Sequence, residues 1–344
     1  MDLSFTAEQE ALREAFASLF AHTAGTDVVR AAEPLGFDEK VWDQLVRTGA
    51  PAMAVPEGLG GGGAGFVDLI VVAQELGKRL APAPLVEAVV ATNLIAEAAP
   101  GGPLLQGLVD QDRVATLALQ PVASGTARLV PAGAVAEVLI ALDGDELVAF
   151  ERPAGARPHV PSPPNLGASP IADWSLDGPD LQRTVLAGGA EARRLHHRAR
   201  AEWQLLMAAA LDGLRSAALD IGVEYVKSRW AFGVPIGWFQ AIQHRLADVA
   251  TAGEGAQLLL YEAAWARDTG GADADRLAAM AFLYQSELAQ LTTRESLQFH
   301  GGYGYTLEYD IQLYFRRAKA WPLALGDPAR LACELARDLF APES

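Results

Sequence analysis

Two stretches carry the residue types best suited to chemistry. In residues 225–248, YVKSRWAFGVPIGWFQAIQHRLAD, a helix-forming run ends at Trp230-Ala231 and is broken by Gly233 and Pro235. It restarts near Trp238 with Phe239, Ile242, Leu246 and Val249 at helical spacing. The break leaves Arg229 near a helix end, the bulky Phe232 at the turn and the amides of Gln240 and Gln243 on the next helix. That set suits an anionic or nucleotide-like ligand. The competing reading is a packed helix-turn-helix corner, with Trp230, Phe232, Trp238 and Phe239 as its packing. The second stretch, residues 295–305, reads ESLQFHGGYGY. A helical run precedes it where a dinucleotide fingerprint needs a strand, so it predicts a helix ending at paired glycines. Gly301, Gly302 and Gly304 leave backbone amides open to close approach, with Gln298 and His300 just upstream; a plain C-cap is the alternative.

Other chemistry is weakly supported. The glycines at 58 and 60–63 lack the Lys-Ser/Thr pair of a phosphate loop and predict a surface loop that positions the next helix. His196 and His197 sit among Arg193, Arg194 and Arg198 without a spaced third ligand, so they predict a solvated helix face and no metal site. His244 is expected to bond within a helical bundle. Cys333 is the only cysteine, which excludes an intrachain disulfide and a thiolate cluster.

The elements that must position these residues follow from pattern. The chain has 344 residues, 51% hydrophobic and 20% charged, with a formal net charge of −16. It is long enough for two or three structural units of about 100–200 residues. The negative charge argues against nucleic acid or an anionic membrane surface as partner. No apolar run reaches the roughly 18 residues of a membrane span, and the N-terminal sequence has no basic-then-apolar leader, so a reducing cytoplasm is expected. Thr6 and Gln9 have capping-box spacing ahead of Leu12, Phe16 and Leu19 on one face. Further helices are predicted near residues 37–48 and 65–80. From about Arg113 to Leu186 short apolar runs alternate with turns, among them Asp143-Gly144, and residues 158–170 are proline-dense. Helix returns from Gly189. The expected class is α+β: an N-terminal α-helical domain (1–112), a reduced β-domain (113–188) and a C-terminal antiparallel four-helix bundle (189–344).

The order Arg229-x-x-Phe232-Gly233, then residues 239–248 (FQAIQHRLAD), then Gln298-x-x-Gly301-Gly302-x-Gly304-Tyr305-x-x-Glu308, resembles the acyl-CoA dehydrogenase family. Phe5-Thr6-Ala7-Glu8-Gln9 and Val55-Pro56-Glu57 through Gly61 extend the resemblance to the N-terminus. It is strongest over residues 213–319 and thin over the β region. The resemblance implies FAD at a subunit interface, with Arg229, Phe232 and the Gln240 region on the adenine-pyrophosphate part of a flavin held mainly by a neighbour. Gln298, Gly301 and Gly302 would receive the same pyrophosphate.

The other half of the family's site departs from the pattern. Where dehydrogenating members have a Thr-Glu-Pro-like motif, this chain reads Leu119-Gln120-Pro121, and no Trp lies between Trp42 and Trp174. Along Arg316-Arg317-Ala318-Lys319, counting puts Leu325 where the catalytic Glu would be. Some members place the base on the helix before Arg-x-x-Phe-Gly; there the count gives Trp203, with Glu202 one residue off, about 100° around a helix. The resemblance therefore implies an FAD-site-completing subunit without a base, like the short subunits of α2β2 assemblies acting on steroid acyl-CoA thioesters. The implied partner is a second acyl-CoA dehydrogenase subunit, with an acyl-CoA substrate in the complex. Two alternatives stand beside it: a self-sufficient homomeric enzyme using Glu202 or another acid, and a scaffold or regulatory protein that binds no flavin.

Overall fold

The computed structural model describes residues 4–110, 113–153, 155, 157–178 and 180–340; the expected boundary at 112 falls outside these residues. The N-terminal helices are α1 (Ala7–Thr23), α2 (Thr26–Ala31), α3 (Glu39–Arg47), α4 (Phe66–Arg79), α5 (Leu85–Ala98) and α6 (Pro103–Asp110). Six strands follow: β1 (Ala115–Leu117), β2 (Thr126–Val130), β3 (Val138–Asp143), β4 (Glu146–Glu151), β5 (Ala172–Ser175) and β6 (Gln182–Gly188). The rest is α7 (Gly189–Ser228), the short pair β7 (Trp230–Ala231) and β8 (Val234–Pro235), then α8 (Gln240–Asp268), α9 (Ala274–His300), α10 (Ile311–Ala320) and α11 (Pro328–Phe340). The helix, sheet, helix order is the one the periodicities predict. The capping box is formed: Gln9 N donates to Thr6 Oγ1 at 3.2 Å and Thr6 N donates to Gln9 Oε1 at 3.0 Å.

The chain divides into two compact units. One consists of Val28–Leu69 and Pro82–Trp203. It contains a sheet in the order β1-β3-β4-β6, with β1 parallel to β3 and the other pairs antiparallel, and a separate β2-β5 ribbon. Asp143 pairs with Glu146 across a two-residue turn, and Gly144 at its first position has φ +60°, a conformation glycine adopts without strain. Val138 to Leu142 are all buried, as expected of a central strand covered on both faces. The segment leading into the proline-dense run is anchored through Glu137, which is 2% exposed. Its carboxylate accepts from Val114 N (2.8 Å), Arg157 Nε (3.1 Å) and the His159 ring (3.0 Å).

The second unit consists of Met1–Asp27, Ile70–Ala81 and Gln204–Ser344 and is helical. In it α4 and α7 cross at backbone contact. A Cβ at Gly77 would overlap the Ala210 carbonyl, and one at Gly213 would overlap the Gln74 carbonyl, so each helix gives a glycine to the other. Beside this crossing lies Asp212, 2% exposed. Its Oδ1 accepts from Arg215 Nη2 (2.7 Å), Arg215 Nε (3.2 Å) and Gln285 Nε2 (3.1 Å). Its Oδ2 accepts from Gln74 Nε2 (2.8 Å) and Gln257 Nε2 (3.3 Å). One carboxylate thus joins α4, α7, α8 and α9.

Candidate functional site

The corner after α7 is a small hairpin. Trp230 pairs with Pro235 and Ala231 with Val234, and Ile236 N donates to Arg229 O at 2.8 Å. Phe232 at its tip has φ +55°, a left-handed backbone that a bulky residue rarely adopts, and is 96% exposed. Trp230 and Trp238 are 62% and 69% exposed, which overturns the expectation that these aromatics pack the corner. Phe232 and Phe239 contact only edge to face, with ring centroids 6.2 Å apart. A hairpin with two residue pairs has no second layer to cover them.

All six residues expected to hold a cofactor, Arg229, Phe232, Gln240, Gln298, Gly301 and Gly302, are exposed. Arg229 engages no carboxylate among the described residues. Gln240 opens α8, whose N-cap residue Phe239 supplies no side-chain cap; Ile242 N and Gln243 N already bond to Phe239 O at 2.9 and 3.1 Å, which leaves the amides of Gln240 and Ala241 at the start of a 29-residue helix for a ligand. Gln243 serves otherwise: its Nε2 donates to Gly237 O at 2.9 Å and braces the turn. α9 ends at Gly301 (φ +61°), and added Cβ atoms at Gly301 or Gly302 would meet nothing within 4 Å.

The two stretches are tied together by a contact that the sequence did not announce. The His300 ring stacks on Tyr225 with centroids 3.8 Å apart, and Tyr309 closes on both edge to face. His300 Nδ1–H donates to Ser296 O at 2.7 Å, and burial lowers its pKa, so the ring packs neutral with Nε2 as its acceptor. Arg229 lies one helical turn beyond Tyr225, and Gln298 and Gly301 flank His300. The stacked pair therefore brings the end of α7 to the end of α9. Gly301 N itself donates to Gln298 O as the cap of α9, so the geometry gives one cation, an uncapped helix N-terminus and an exposed glycine pair that lets a ligand approach the backbone closely, a set suited to phosphate oxygens.

The expected base positions look different. Leu325 is 0% exposed, at the end of the 3-10 turn Trp321–Leu325. Glu202 is 2% exposed and its oxygens are engaged, Oε1 by Arg198 Nε (3.1 Å) and Oε2 by Asn93 Nδ2 (3.1 Å). Trp203 is 1% exposed and donates from Nε1 to Glu87 Oε1 at 3.2 Å. Glu87, in the first turn of the largely apolar α5, was not singled out by its sequence context; burial raises its pKa. Leu119 is 2% exposed, so the first residue of the Leu119-Gln120-Pro121 stretch turns inward.

His196 is also not on a solvated face. It is 3% exposed, and its Nε2–H donates to Ala118 O at 2.8 Å, pinning the stretch that leads to Leu119. Burial pulls its pKa down to about 4. The unfolded chain binds the proton below the ordinary value of about 6.5, and the folded chain does not until about 4. The contribution is therefore full above about pH 6.5 and falls as pH drops toward 4, by up to about 3 kcal/mol. Replacing His196 by Gln should flatten that part of a stability-against-pH curve measured by denaturant unfolding.

Comparison with known proteins decides the family. The family model "Acyl-CoA dehydrogenase, N-terminal domain" matches residues 6–100, and "Acyl-CoA dehydrogenase, C-terminal domain" matches residues 201–339. Acyl-CoA dehydrogenase IpdE2 of Mycolicibacterium smegmatis is 32% identical over 337 residues, 97% of this chain and 99% of that protein. The chain belongs to the acyl-CoA dehydrogenase family. Among solved structures it is similar to a chain of the ChsE4-ChsE5 complex from Mycobacterium tuberculosis, with TM-score 0.87, 25% identity and full coverage of both chains. It is likewise similar to a Tcur3481-Tcur3483 steroid ACAD variant, with TM-score 0.82, 28% identity, 97% of this chain and 98% of that one. The family is one of flavoprotein oxidoreductases. Among the described residues no helix is long and apolar enough to cross a membrane, and no cluster of three or more His, Cys, Asp or Glu could hold a metal.

Proposed function

We propose that this chain is the subunit of a heteromeric acyl-CoA dehydrogenase that completes the FAD site of a catalytic partner in the cytoplasm. The assembly desaturates an acyl-CoA thioester of steroid origin between Cα and Cβ. One observation carries the reading: the whole diphosphate-type donor set at the Tyr225–His300 junction is exposed, while both counted base positions are buried apolar or aromatic side chains. The similar heteromeric complex and the steroid ACAD support an assembly of unlike chains acting on steroid substrates. FAD, when bound, would accept the hydride from Cβ. This chain's part is to hold diphosphate oxygens by the Arg229 fork and the first amides of α8, with Gly301 and Gly302 leaving room for close approach, and to present Phe232 to the neighbour. The homomeric alternative would need Glu202 or another acid as base, and the Glu202 carboxylate already serves Arg198 and Asn93.

The test is expression with and without a second dehydrogenase subunit encoded nearby, scoring flavin absorbance and turnover. A yellow complex active only when both chains are present is expected; a stable colourless homo-oligomer that binds no FAD beside the partner overturns the reading. Within the complex, Arg229→Ala should weaken FAD retention about 10- to 100-fold, the loss of a charge-assisted hydrogen bond worth about 1.5–3 kcal/mol. Equilibrium dialysis of FAD against wild type measures it, and Arg229→Lys should recover part of the loss as a point charge without the fork.

A further inference from the structure

Arg229, Gln298, Gly301 and Gly302 are exposed and take their places from what lies beneath them. Beneath them is His300, 4% exposed, where α7, α9, the turn Gly301–Tyr305 and Tyr309 all meet. Its ring lies on the Tyr225 ring of α7 with centroids 3.8 Å apart, and Tyr309 meets it edge to face at 5.6 Å. Its Nδ1–H donates to Ser296 O, one turn back on α9. The Gly301–Tyr305 turn folds back over it: a Cβ at Gly304 would stand 3.1 Å from His300 Cβ and 2.8 Å from Leu297 O, an approach that only glycine permits. Tyr303 of the same turn rests against Tyr309, with centroids 5.9 Å apart. One turn before the stack α7 and α9 are again at close quarters, since a Cβ at Gly222 would lie 2.5 Å from Ser296 Oγ.

The two contacts of the ring do different work. The hydrogen bond to Ser296 O stays within α9 and fixes the ring's rotation, whereas the stack crosses to α7. Arg229 follows Tyr225 by one turn, its N–H donating to Tyr225 O at 2.8 Å, and Gly301 follows His300 directly. A change in how the two rings lie therefore moves the cation against the glycine pair, and a site for two phosphates tolerates only about 0.5 Å of misplacement. We propose that His300 is the positioning residue of the diphosphate site: its stack on Tyr225 sets the distance from Arg229 to Gly301 and Gly302, and so how tightly a diphosphate is held. The inference rests on the flavin-site reading above and adds to it a residue that governs the site without touching the ligand.

The experiment titrates the purified full-length chain with inorganic pyrophosphate, read by phosphorus NMR, and follows FAD retention by the complex in equilibrium dialysis. Wild type should bind pyrophosphate in the millimolar range, and Arg229→Ala should not. His300→Phe keeps a stacking ring without the N–H and should bind within about 2-fold of wild type. His300→Asn keeps a donor for Ser296 O without the ring and should bind about 5- to 10-fold more weakly, the worth of an aromatic pair. Tyr225→Leu should lose as much and Tyr225→Phe nothing, and this pair decides the matter if the His300 variants do not fold. In the complex, His300→Asn should weaken FAD retention to the same extent, and the loss should vanish in an Arg229→Ala background, because a positioning residue acts only through the group it positions. A merely structural role would lower Tm and leave the two losses additive. Equal pyrophosphate binding by folded wild type and His300→Asn overturns the inference, as does additivity with Arg229→Ala or a wild type that binds no pyrophosphate. Failure of the heteromeric reading shows separately, as a complex without flavin, and the pyrophosphate series then still decides the role of His300.

Discussion

Asp212→Ala should lower the unfolding free energy by about 3–5 kcal/mol, the cost of removing one partner from a buried ion pair. The substitution leaves the Arg215 guanidinium, 6% exposed, without its carboxylate and takes the shared acceptor away from Gln74, Gln257 and Gln285. Water cannot replace that acceptor without entering the bundle between four helices. Asp212→Asn keeps one acceptor oxygen but presents an N–H₂ to donors, so an intermediate loss is expected. Denaturant unfolding of the three proteins at pH 7 measures the series. Equal midpoints for wild type and Asp212→Ala would mean that α4, α7, α8 and α9 do not depend on this junction.

Leu325→Glu should not create a dehydrogenase. The side chain at 325 is 0% exposed, and a carboxylate placed there must lose its hydration, at about 2–5 kcal/mol, or remain protonated with a raised pKa. A raised folded-state pKa fixes the sign of the pH dependence. The unfolded chain ionises at about 4.3 and the folded one later, so the variant is least destabilised at or below about pH 4 and loses stability as pH rises above it. Thermal unfolding of Leu325→Glu and Leu325→Gln between pH 4 and 8 should diverge progressively, with no acyl-CoA turnover at any pH. Turnover with an unchanged Tm would show instead that position 325 still opens onto a substrate.

Much of this molecule was legible in its residues, for identifiable reasons. The period of 3.6 and the shorter alternating runs separate helices from strands, and Thr6 with Gln9 marks the first helix start because the two side chains satisfy each other's backbone donors. What failed concerned which faces are covered. Trp230 and Trp238 read as packing because large aromatics are usually buried, but a hairpin of two residue pairs has nothing to bury them against. His196 read as solvated because of its arginine neighbours. The better signal was Ala192, Leu195, Ala199 and Trp203, a buried stripe at helical spacing that passes His196 on the same face. Glu202 falls on that stripe too, so its offset from Trp203 does not turn it to solvent. For the candidate site, the sequence named the exposed donors but not the Tyr225–His300 stack that joins the two helix ends, since neither its pairing nor its geometry follows from spacing.

The aromatic hairpin tip has a consequence when combined with the net charge of −16. Two copies of so acidic a chain repel over the Debye length, about 8 Å at physiological ionic strength, before their exposed rings can touch. A partner of lower negative charge meets a smaller barrier, so the same sticky surface discriminates between self and non-self. That discrimination is electrostatic in origin and weakens with salt: at about 1 M, where the Debye length shrinks to about 3 Å, copies of this chain lose the repulsion that keeps Trp230, Phe232 and Trp238 from one another.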